Sequence, residues 1–266
     1  MRINSLEFNV QDSGSGDVLI WGHGLMGSMA SEDSVAAYEW DQFPADQTLV
    51  RYDARGHGKT TPSFVPADYH WRNLAGDMLS IADKLKIERF VAGGQSMGSA
   101  TSLYAGLLAP DRVKGMVLMN PPTAWETRAA QGAFYRKLAR TGALLGGGTL
   151  AKIMAKDLGR IVPQWLLEEH TGNVEGALEG LKSLKRRTLY NLFKGAALTD
   201  LPSRSDIQTI EIPTLILGWT GDPSHPIETS TALAELLPQS ELHIAEGYAD
   251  FKQWPQLIRE FVAKTH

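Results

Sequence analysis

The sequence contains no cysteine. This absence excludes disulfide bonds, a cysteine nucleophile and metal sites built from thiolates. Neither sign of charge dominates, since 26 basic and 30 acidic residues give a formal net charge of −4, so a nucleic-acid partner is not expected. No apolar run approaches the roughly 20 residues of a membrane span, and the first 11 residues lack the apolar core of a signal peptide. We therefore expect a cytoplasmic protein with no membrane partner.

Internal repeats and low-complexity tracts are also missing from the 266 residues. The sequence has no cluster of metal-ligand residues and no phosphate-binding loop, so we expect neither a metal nor a cofactor. Apolar residues make up 43% of the chain and charged residues 21%, which is ordinary for a soluble globular protein. This length suits one sizeable domain, with or without an insertion.

The most informative stretch that is present lies at residues 90–98. An apolar run suited to a buried strand leads into the pattern G-x-S-x-G at residues 94–98, and residues 100–109 then suit a helix. A serine on a sharp turn from strand to helix is a nucleophile elbow, in which the glycines permit the tight turn and keep the serine oxygen clear. The pattern occurs by chance, so its meaning depends on the rest of the chain.

Strand and helix patterns alternate on both sides of this stretch. Apolar runs predict strands at residues 5–10, 18–21, 48–52, 90–92, 113–119, 212–217 and 241–245. Helical periodicity predicts helices at residues 69–85, 229–236 and 255–263. This alternation predicts an α/β fold with a mostly parallel, doubly wound sheet.

Residues 123–205 break the alternation, because they show helical periodicity and no convincing strand. We predict a helical insertion there, which covers the C-terminal edge of the sheet. The α/β core then has a first part at residues 1–122 and a second part at residues 206–266. Three consecutive glycines at residues 146–148 suit either a lid hinge or a plain loop.

Two further motifs precede the elbow, and each follows a predicted strand. They are a G-H-G loop at residues 22–24 and a D-x-R-G-H-G turn at residues 53–58. In this order and at these separations the sequence resembles the α/β-hydrolase superfamily, and most of all its small esterase, lactonase and haloperoxidase-like group with a helical cap. The resemblance covers the two parts of the core, while residues 123–205 match only in being helical.

The resemblance implies that Ser96 is the nucleophile and that the backbone N–H groups of Leu25 and Met97 form the oxyanion hole. It also implies that His23 and the turn at residues 53–58 are structural. Similar dehalogenases and epoxide hydrolases carry aspartate in place of the serine. A serine therefore points to acyl transfer on an ester, lactone, thioester or amide, or to cleavage of a carbon–carbon bond beside a carbonyl.

The acid and the base of a triad remain to be placed. The resemblance places the acid after the strand at residues 212–217, where Asp222 fits. The usual histidine after the last strand is missing, because residues 246–251 contain none. We predict His225 as the substitute base, which requires a compact turn stiffened by Pro223 and Pro226. An alternative is that His225 belongs to the loop or contacts the substrate without acting as a base.

The other histidines are less well placed for this role. We expect His23 on the wrong side of the site, His57 and His70 in or after the structural turn, His243 in a strand, His170 in the insertion and His266 at the terminus.

The sequence therefore predicts a cofactor-independent serine hydrolase that cleaves a small, fairly apolar ester or lactone through an acyl-enzyme on Ser96. Two alternatives stay open: a degenerate hydrolase that only binds a small molecule, and a carbon–carbon bond hydrolase or a peroxidation side activity. The partner is a small-molecule substrate, and the sequence does not determine the oligomeric state. Apolar side chains of the insertion are available to line its pocket, namely Trp125, Phe134, Tyr135, Leu138, Leu144, Leu145, Ile153, Met154, Ile161, Trp165, Leu166 and Leu167.

Overall fold

The computed structural model describes residues 1–33, 38–169 and 178–265 and is built around one large sheet. The strands of the described residues are β1 (Arg2–Ile3), β2 (Leu6–Glu7), β3 (Val10–Ser13), β4 (Asp17–Gly22), β5 (Gln47–Tyr52), β6 (Phe90–Gln95), β7 (Val113–Met119), β8 (Thr214–Trp219) and β9 (Ser240–Ala245). Strands β1 and β2 form a separate antiparallel pair.

The large sheet has seven strands in the order β3-β5-β4-β6-β7-β8-β9. Only β3 runs antiparallel to its neighbour, and the other pairs are parallel. The predicted α/β fold with a mostly parallel sheet is confirmed. Because parallel strands end at the same edge, Gly22, Gln95 and Trp219 all lie along one side of the sheet.

The helices of the described residues are α1 (Met29–Asp33), α2 (Trp71–Lys84), α3 (Met97–Leu108), α4 (Arg128–Leu145), α5 (Gly147–Met154), α6 (Gln164–Glu169), α7 (Glu179–Ser183), α8 (Arg186–Ala196), α9 (Arg204–Ile207), α10 (Ile227–Leu236), α11 (Tyr248–Phe251) and α12 (Trp254–Lys264). Short 3-10 helices occur at Trp40–Gln42, Pro66–Tyr69, Trp125–Thr127 and Leu158–Arg160. None of the helices in this part of the chain is long and apolar enough to cross a membrane.

The edge strand predicted at residues 5–10 is correct only in part. The structure has β2 at Leu6–Glu7 and a new strand, β3, from Val10 to Ser13, which pairs with β5 at the edge of the sheet. Three of the four β3 residues are exposed and polar. An edge strand of this kind is held by backbone hydrogen bonds, so the hydrophobic pattern does not reveal it.

Both faces of the sheet are buried. On one face Ile20, Ala92 and Ile216 pack with residues of α2, α3 and α10. On the opposite face alternate residues of the same strands, such as Leu19 and Val91, pack with residues of α12. Burial on both faces explains why these strands read as continuous apolar runs in the sequence.

Between β7 and β8 the described residues contain helices and no strand. We call residues 123–205 the helical segment. Its helices α4 and α8 pack together, and its own apolar cluster includes Leu138, Leu150 and Phe193. The glycines at residues 146–148 end α4 and begin α5.

The glycines of the G-x-S-x-G pattern are required because β6, α3 and β4 meet at very short range. A Cβ atom on Gly98 would lie 1.8 Å from the Gly22 carbonyl oxygen, and one on Gly94 would lie 2.5 Å from that oxygen. These distances are shorter than any tolerable contact, and the obstacle is backbone of a central strand. The elbow therefore admits no side chain at either position.

Replacing Gly98 with alanine is predicted to lower the free energy of unfolding by several kcal/mol or to prevent folding, because backbone must move to admit the new methyl group. Gly76→Ala in α2 is the matched control, since a Cβ there would meet nothing within 4 Å. It should raise the unfolding free energy by up to about 1 kcal/mol. Urea unfolding measures both values, and a Gly98→Ala protein as stable as the parent would contradict the packing argument.

Candidate active site

Ser96 lies between the end of β6 and the start of α3. Its backbone has φ 53° and ψ −107°, a conformation that residues other than glycine rarely adopt. Its N–H donates to the Met119 carbonyl at 2.9 Å, which ties the turn to the neighbouring strand β7. Strained backbone of this kind is often concentrated at functional sites. Here it places the serine at the C-terminal edge of the sheet.

The structure brings Ser96, His225 and Asp222 into one hydrogen-bonded chain. His225 Nε2 lies 2.7 Å from Ser96 Oγ, and His225 Nδ1 lies 2.6 Å from Asp222 Oδ2. Since the carboxylate accepts a hydrogen bond from Nδ1–H, Nε2 is left as the acceptor for the serine O–H. The residues predicted as nucleophile, base and acid are therefore connected through His225, which contacts both Ser96 and Asp222.

A tight turn explains how two residues of one loop reach each other. The His225 N–H donates to the Asp222 carbonyl at 3.2 Å, which closes a four-residue turn. Pro223 occupies the second position of this turn, where the fixed φ of proline is favourable. The Ser224 N–H donates to Asp222 Oδ1 at 2.7 Å and holds the carboxylate in the turn. Pro226 then precedes α10 and ends the loop.

The Asp222 carboxylate is buried and fully hydrogen-bonded. Besides His225 and Ser224, the indole N–H of Trp219 donates to Oδ2 at 3.1 Å. Burial alone raises the pKa of Asp222, but the charge of His225 and the hydrogen bonds from His225, Ser224 and Trp219 outweigh it and hold the pKa below its usual value. Asp222 therefore stays ionised around neutral pH.

The region that would carry the usual histidine is filled by aromatic residues. Phe251, at the end of α11, is buried and packs edge-on against Trp254 with ring centres 5.0 Å apart. Trp219 stacks on Trp254 and also contacts Phe251. These contacts set the position of the Trp219 indole, whose N–H reaches Asp222. The aromatic cluster thus supports the carboxylate through Trp219.

His23 is a buried structural residue. Its Nε2 accepts the Ala54 N–H at 2.9 Å, so its Nδ1–H donates to the Gly24 carbonyl at 2.7 Å. Burial lowers the pKa of His23, so the ring stays neutral. His57 packs edge-on against it, and burial lowers the pKa of His57 to about 3. Neither ring contacts Ser96, in agreement with the structural roles that the resemblance implied.

The remaining histidines are accounted for as well. His70 caps the start of α2, where its Nδ1 accepts the Arg72 N–H. His243 lies near the surface beside Glu241. His170 and His266 lie outside the described residues.

A cavity of about 150 Å³ adjoins Ser96 and His225. Its lining residues are His23, Gly24, Leu25, Met26, Gly27, Ser31, Glu32, Tyr38, Gln95, Ser96, Gln131, Phe134, Tyr135, Leu138, Met154, Ile161, Val162, Leu178, Ser224 and His225. Leu25 therefore lines the same cavity as Ser96, and Met97 is the first residue of α3. A Cβ on Gly24 would lie 3.7 Å from the Ser96 Cβ, so the Gly22–Gly24 loop lies directly against the elbow.

Five of the twelve apolar residues suggested for pocket lining do line this cavity: Phe134, Tyr135, Leu138, Met154 and Ile161. The others have different positions. Leu144, Leu145 and Ile153 are exposed, and Trp125, Trp165, Leu166 and Leu167 do not line the cavity. The helical period alone does not show which face of each helix is turned toward the cavity.

A polar part of the cavity wall was not foreseen from the sequence. Glu32 is buried there, with Oε1 accepting the Trp21 indole N–H at 3.0 Å and Oε2 accepting from Arg51 at 3.2 Å. Tyr38 is also buried, and its hydroxyl donates to Gln95 Oε1. Of these residues, only Gln95 could have been placed near the site from the sequence, because it directly precedes Ser96 in the elbow. Among the described residues, no group of three or more His, Asp or Glu side chains is placed to hold a metal ion.

Comparison with known proteins agrees with this architecture. The sequence model of the alpha/beta hydrolase fold matches residues 17–255. The chain belongs to the alpha/beta hydrolase fold family.

Among sequence relatives is a protein of Pseudomonas savastanoi pv. phaseolicola named "Putative carbamate hydrolase RutD". It is 28% identical over 207 residues, spanning 76% of this chain and 75% of the relative. A protein of the same name from Yersinia enterocolitica is 28% identical over 199 residues, spanning 73% of this chain and 67% of the relative. Family and relatives together support a hydrolase.

Solved structures of similar fold include a thermophilic esterase from Thermogutta terrifontis, with a TM-score of 0.81 and 22% identity. The match covers 98% of this chain and 94% of that one. The enol-lactonase from Burkholderia xenovorans LB400 has a TM-score of 0.80 and 19% identity, with 98% of both chains covered. At these identities the likeness establishes the fold alone.

The titration of Glu32 is predicted to make the unfolding free energy depend on pH. Burial, opposed by the charge of Arg51 and by hydrogen bonds from Trp21 and Arg51, raises the pKa of Glu32 from 4.5 to about 7. The folded chain therefore binds more protons than the unfolded chain between about pH 4.5 and 7, so this group lowers stability as pH rises through that range. At about 1.4 kcal/mol per pH unit, the full change is on the order of 3 kcal/mol.

Glu32→Gln removes this titration. The unfolding free energy of the variant minus that of the parent should increase from pH 5 to pH 8. Urea unfolding at both pH values measures this difference. Asp33→Asn is the matched control, because Asp33 pairs with the same Arg51 at 2.5 Å from the solvent side. The control separates loss of an ion pair from titration of Glu32. An equal effect of Glu32→Gln at both pH values would contradict the prediction.

Proposed function

We propose that the protein is a cofactor-independent serine hydrolase that cleaves a small, fairly apolar ester or lactone through an acyl-enzyme on Ser96. The observation that carries this proposal is the contact of His225 with both Ser96 and Asp222, at 2.7 and 2.6 Å. The fold family supports the hydrolase class. The ester or lactone, the serine nucleophile and the oxyanion hole are our inference from the site.

In the proposed mechanism His225 Nε2 takes the proton of Ser96 Oγ as the oxygen attacks the substrate carbonyl. Asp222 fixes the Nδ1–H tautomer and stabilises the imidazolium that forms. Collapse of the tetrahedral intermediate returns this proton to the leaving alcohol and leaves an acyl group on Ser96. Water then attacks the acyl group with His225 again as base, which releases the acid and restores the serine.

The negative charge of each tetrahedral intermediate needs donors. We propose the backbone N–H groups of Leu25 and Met97, as the resemblance implied. The position of Met97 at the start of α3 supports this role, because the first N–H groups of a helix have no intrahelical acceptor and lie at its positive end. Leu25 belongs to the loop that lies against the elbow on the cavity side.

The size and lining of the cavity support a small and mostly apolar substrate. A cavity of about 150 Å³ in another protein accommodates benzene, and the present one has the same volume. The helical segment supplies apolar side chains such as Phe134, Leu138 and Met154 on the side facing the core. We propose that residues 123–205 act as a cap that selects the substrate and excludes water from the site.

Carbamate cleavage is a second candidate, and it is favoured by the name that several sequence relatives carry. The same serine chemistry attacks a carbamate carbonyl, so the two candidates differ in substrate and not in mechanism. Comparing hydrolysis of a small ester and of the carbamate of equal size, for example ethyl propionate and ethyl N-methylcarbamate, decides between them.

The proposed triad predicts that a fluorophosphonate probe labels Ser96 and that Ser96→Ala abolishes both labelling and hydrolysis of p-nitrophenyl butyrate. His225→Ala should lower kcat/KM by at least about 10³-fold, because the serine loses its base. His243→Ala is the matched control and should leave the rate within about twofold, since His243 lies away from the site beside Glu241.

Mass spectrometry of the labelled protein and steady-state kinetics measure these effects. No labelling of the folded protein between pH 7 and 9 would refute a serine nucleophile. Labelling of Ser96 together with full activity of His225→Ala would refute the proposed base. A folded chain that binds esters without labelling or turnover would favour the binding-module alternative.

The cavity also predicts a limit on substrate length. kcat/KM for p-nitrophenyl esters should fall by at least about tenfold between the butyrate and the decanoate, because the longer chain exceeds a cavity of about 150 Å³. Leu138→Ala, which enlarges the apolar side, should reduce this difference. Equal rates along the series for both proteins would contradict the proposed limit.

A further inference from the structure

Gln95 presents an unused hydrogen-bond donor beside the proposed nucleophile. Its side chain is half-buried and lines the cavity together with Ser96. Within the described chain its Oε1 accepts from Tyr38, while its Nε2 donates to no protein atom and is not sealed off from the cavity. The proposed triad does not use this amide.

Tyr38 fixes which end of the Gln95 amide faces the cavity. Tyr38 is 9% exposed, and burial followed by the charge of Glu32 raises the pKa of its phenol well above the usual value. The phenol therefore keeps its proton and donates it to Oε1. With the oxygen engaged, the two N–H bonds of Nε2 are the groups left for a ligand.

The amide group of Gln95 lies close to Ser96. A Cβ on Gly24 would lie 3.7 Å from Gln95 Oε1 and 3.7 Å from Ser96 Cβ, so both atoms border the same point. The absent side chain at Gly24 leaves that point open to a substrate. A group bound by Gln95 is therefore near the scissile carbonyl and not at the far end of the cavity.

The neighbouring polar groups restrict the chemistry of this group. Each oxygen of Glu32 already accepts one hydrogen bond, from Trp21 or from Arg51, so these partners compete with any donor on the substrate for the carboxylate. Its carboxylate would also repel an anionic substituent when ionised. The donor of Gln95 thus suits a neutral oxygen that accepts a hydrogen bond, such as an ether, hydroxyl or keto oxygen.

We propose that Gln95, oriented by Tyr38, forms a polar subsite that selects substrates with a neutral hydrogen-bond-accepting oxygen close to the scissile carbonyl. The inference rests on the proposed function and narrows it from apolar esters in general to alkoxy-, hydroxy- or oxo-substituted esters and lactones. The oxygen lies on the acyl side or on the alcohol side of the carbonyl.

Two pairs of matched esters test this subsite. p-Nitrophenyl methoxyacetate and p-nitrophenyl butyrate differ by one oxygen for CH₂ on the acyl side. 2-Methoxyethyl acetate and butyl acetate differ in the same way on the alcohol side. For each pair the ratio of kcat/KM, ether over alkyl, is compared between proteins, so the intrinsic reactivity of the esters cancels.

Gln95→Met keeps the length of the side chain and removes the donor. It should lower the ratio roughly three- to tenfold in at least one pair, which is the usual effect of one neutral hydrogen bond. Tyr38→Phe should lower the same ratio, because the amide loses the contact that orients it. Gln131→Met is the matched control: it makes the same chemical change in the same cavity, on α4, and should leave the ratio unchanged whatever its absolute rate.

A Gln95→Met ratio within about twofold of the parent in both pairs overturns the subsite, even when Ser96 is labelled and both esters are cleaved. Failure of the proposed function has a different signature, namely no labelling and no turnover of any ester. In that case the ether-over-alkyl ratio is taken from the dissociation constants of the intact esters. These constants are measured for the Ser96→Ala chain with and without Gln95→Met. An unchanged ratio there also overturns the subsite.

Discussion

The four-residue turn from Asp222 to His225 is the constraint on which the candidate site depends. It places a carboxylate and an imidazole three residues apart in direct contact, and the other ring nitrogen then reaches Ser96. A loop of this kind is stable only if the buried carboxylate is satisfied, and Trp219 and Ser224 provide those hydrogen bonds. The resemblance implies acid and base on two loops, whereas the proposed acid and base lie on one loop after β8.

Placing both groups in one loop changes the role of the last strand. In the proposed triad the chain after β9 does not carry the base, and its residues form an aromatic cluster around Phe251 and Trp254. This cluster packs against Trp219, which donates to Asp222. The segment therefore supports the carboxylate through Trp219. A missing motif in the sequence is, in this protein, compatible with a complete set of contacts.

Two sides of the cavity have different chemistry. The helical segment supplies apolar side chains. Glu32 in α1, Tyr38 and Gln95 at the end of β6 supply polar ones. Buried polar groups of this kind are retained only when they are paired, and the pairs Glu32 with Arg51 and Gln95 with Tyr38 meet that condition. The Nε2 end of Gln95 is the part of the wall that we propose as a subsite, and it would add a polar requirement to a mostly apolar cavity.

The sequence by itself determined the sheet, its helices and the elbow, because apolar runs, helical periodicity and close-packed glycines are local signals. It missed β3, an exposed edge strand held by backbone pairing, and it left His225 open between base and loop residue. Only the tertiary structure shows the contact of His225 with Ser96, because it joins residues 129 positions apart. The same holds for Glu32, Tyr38 and Gln95: their shared wall depends on how loops from different strands meet above the sheet, and no local pattern encodes such a meeting.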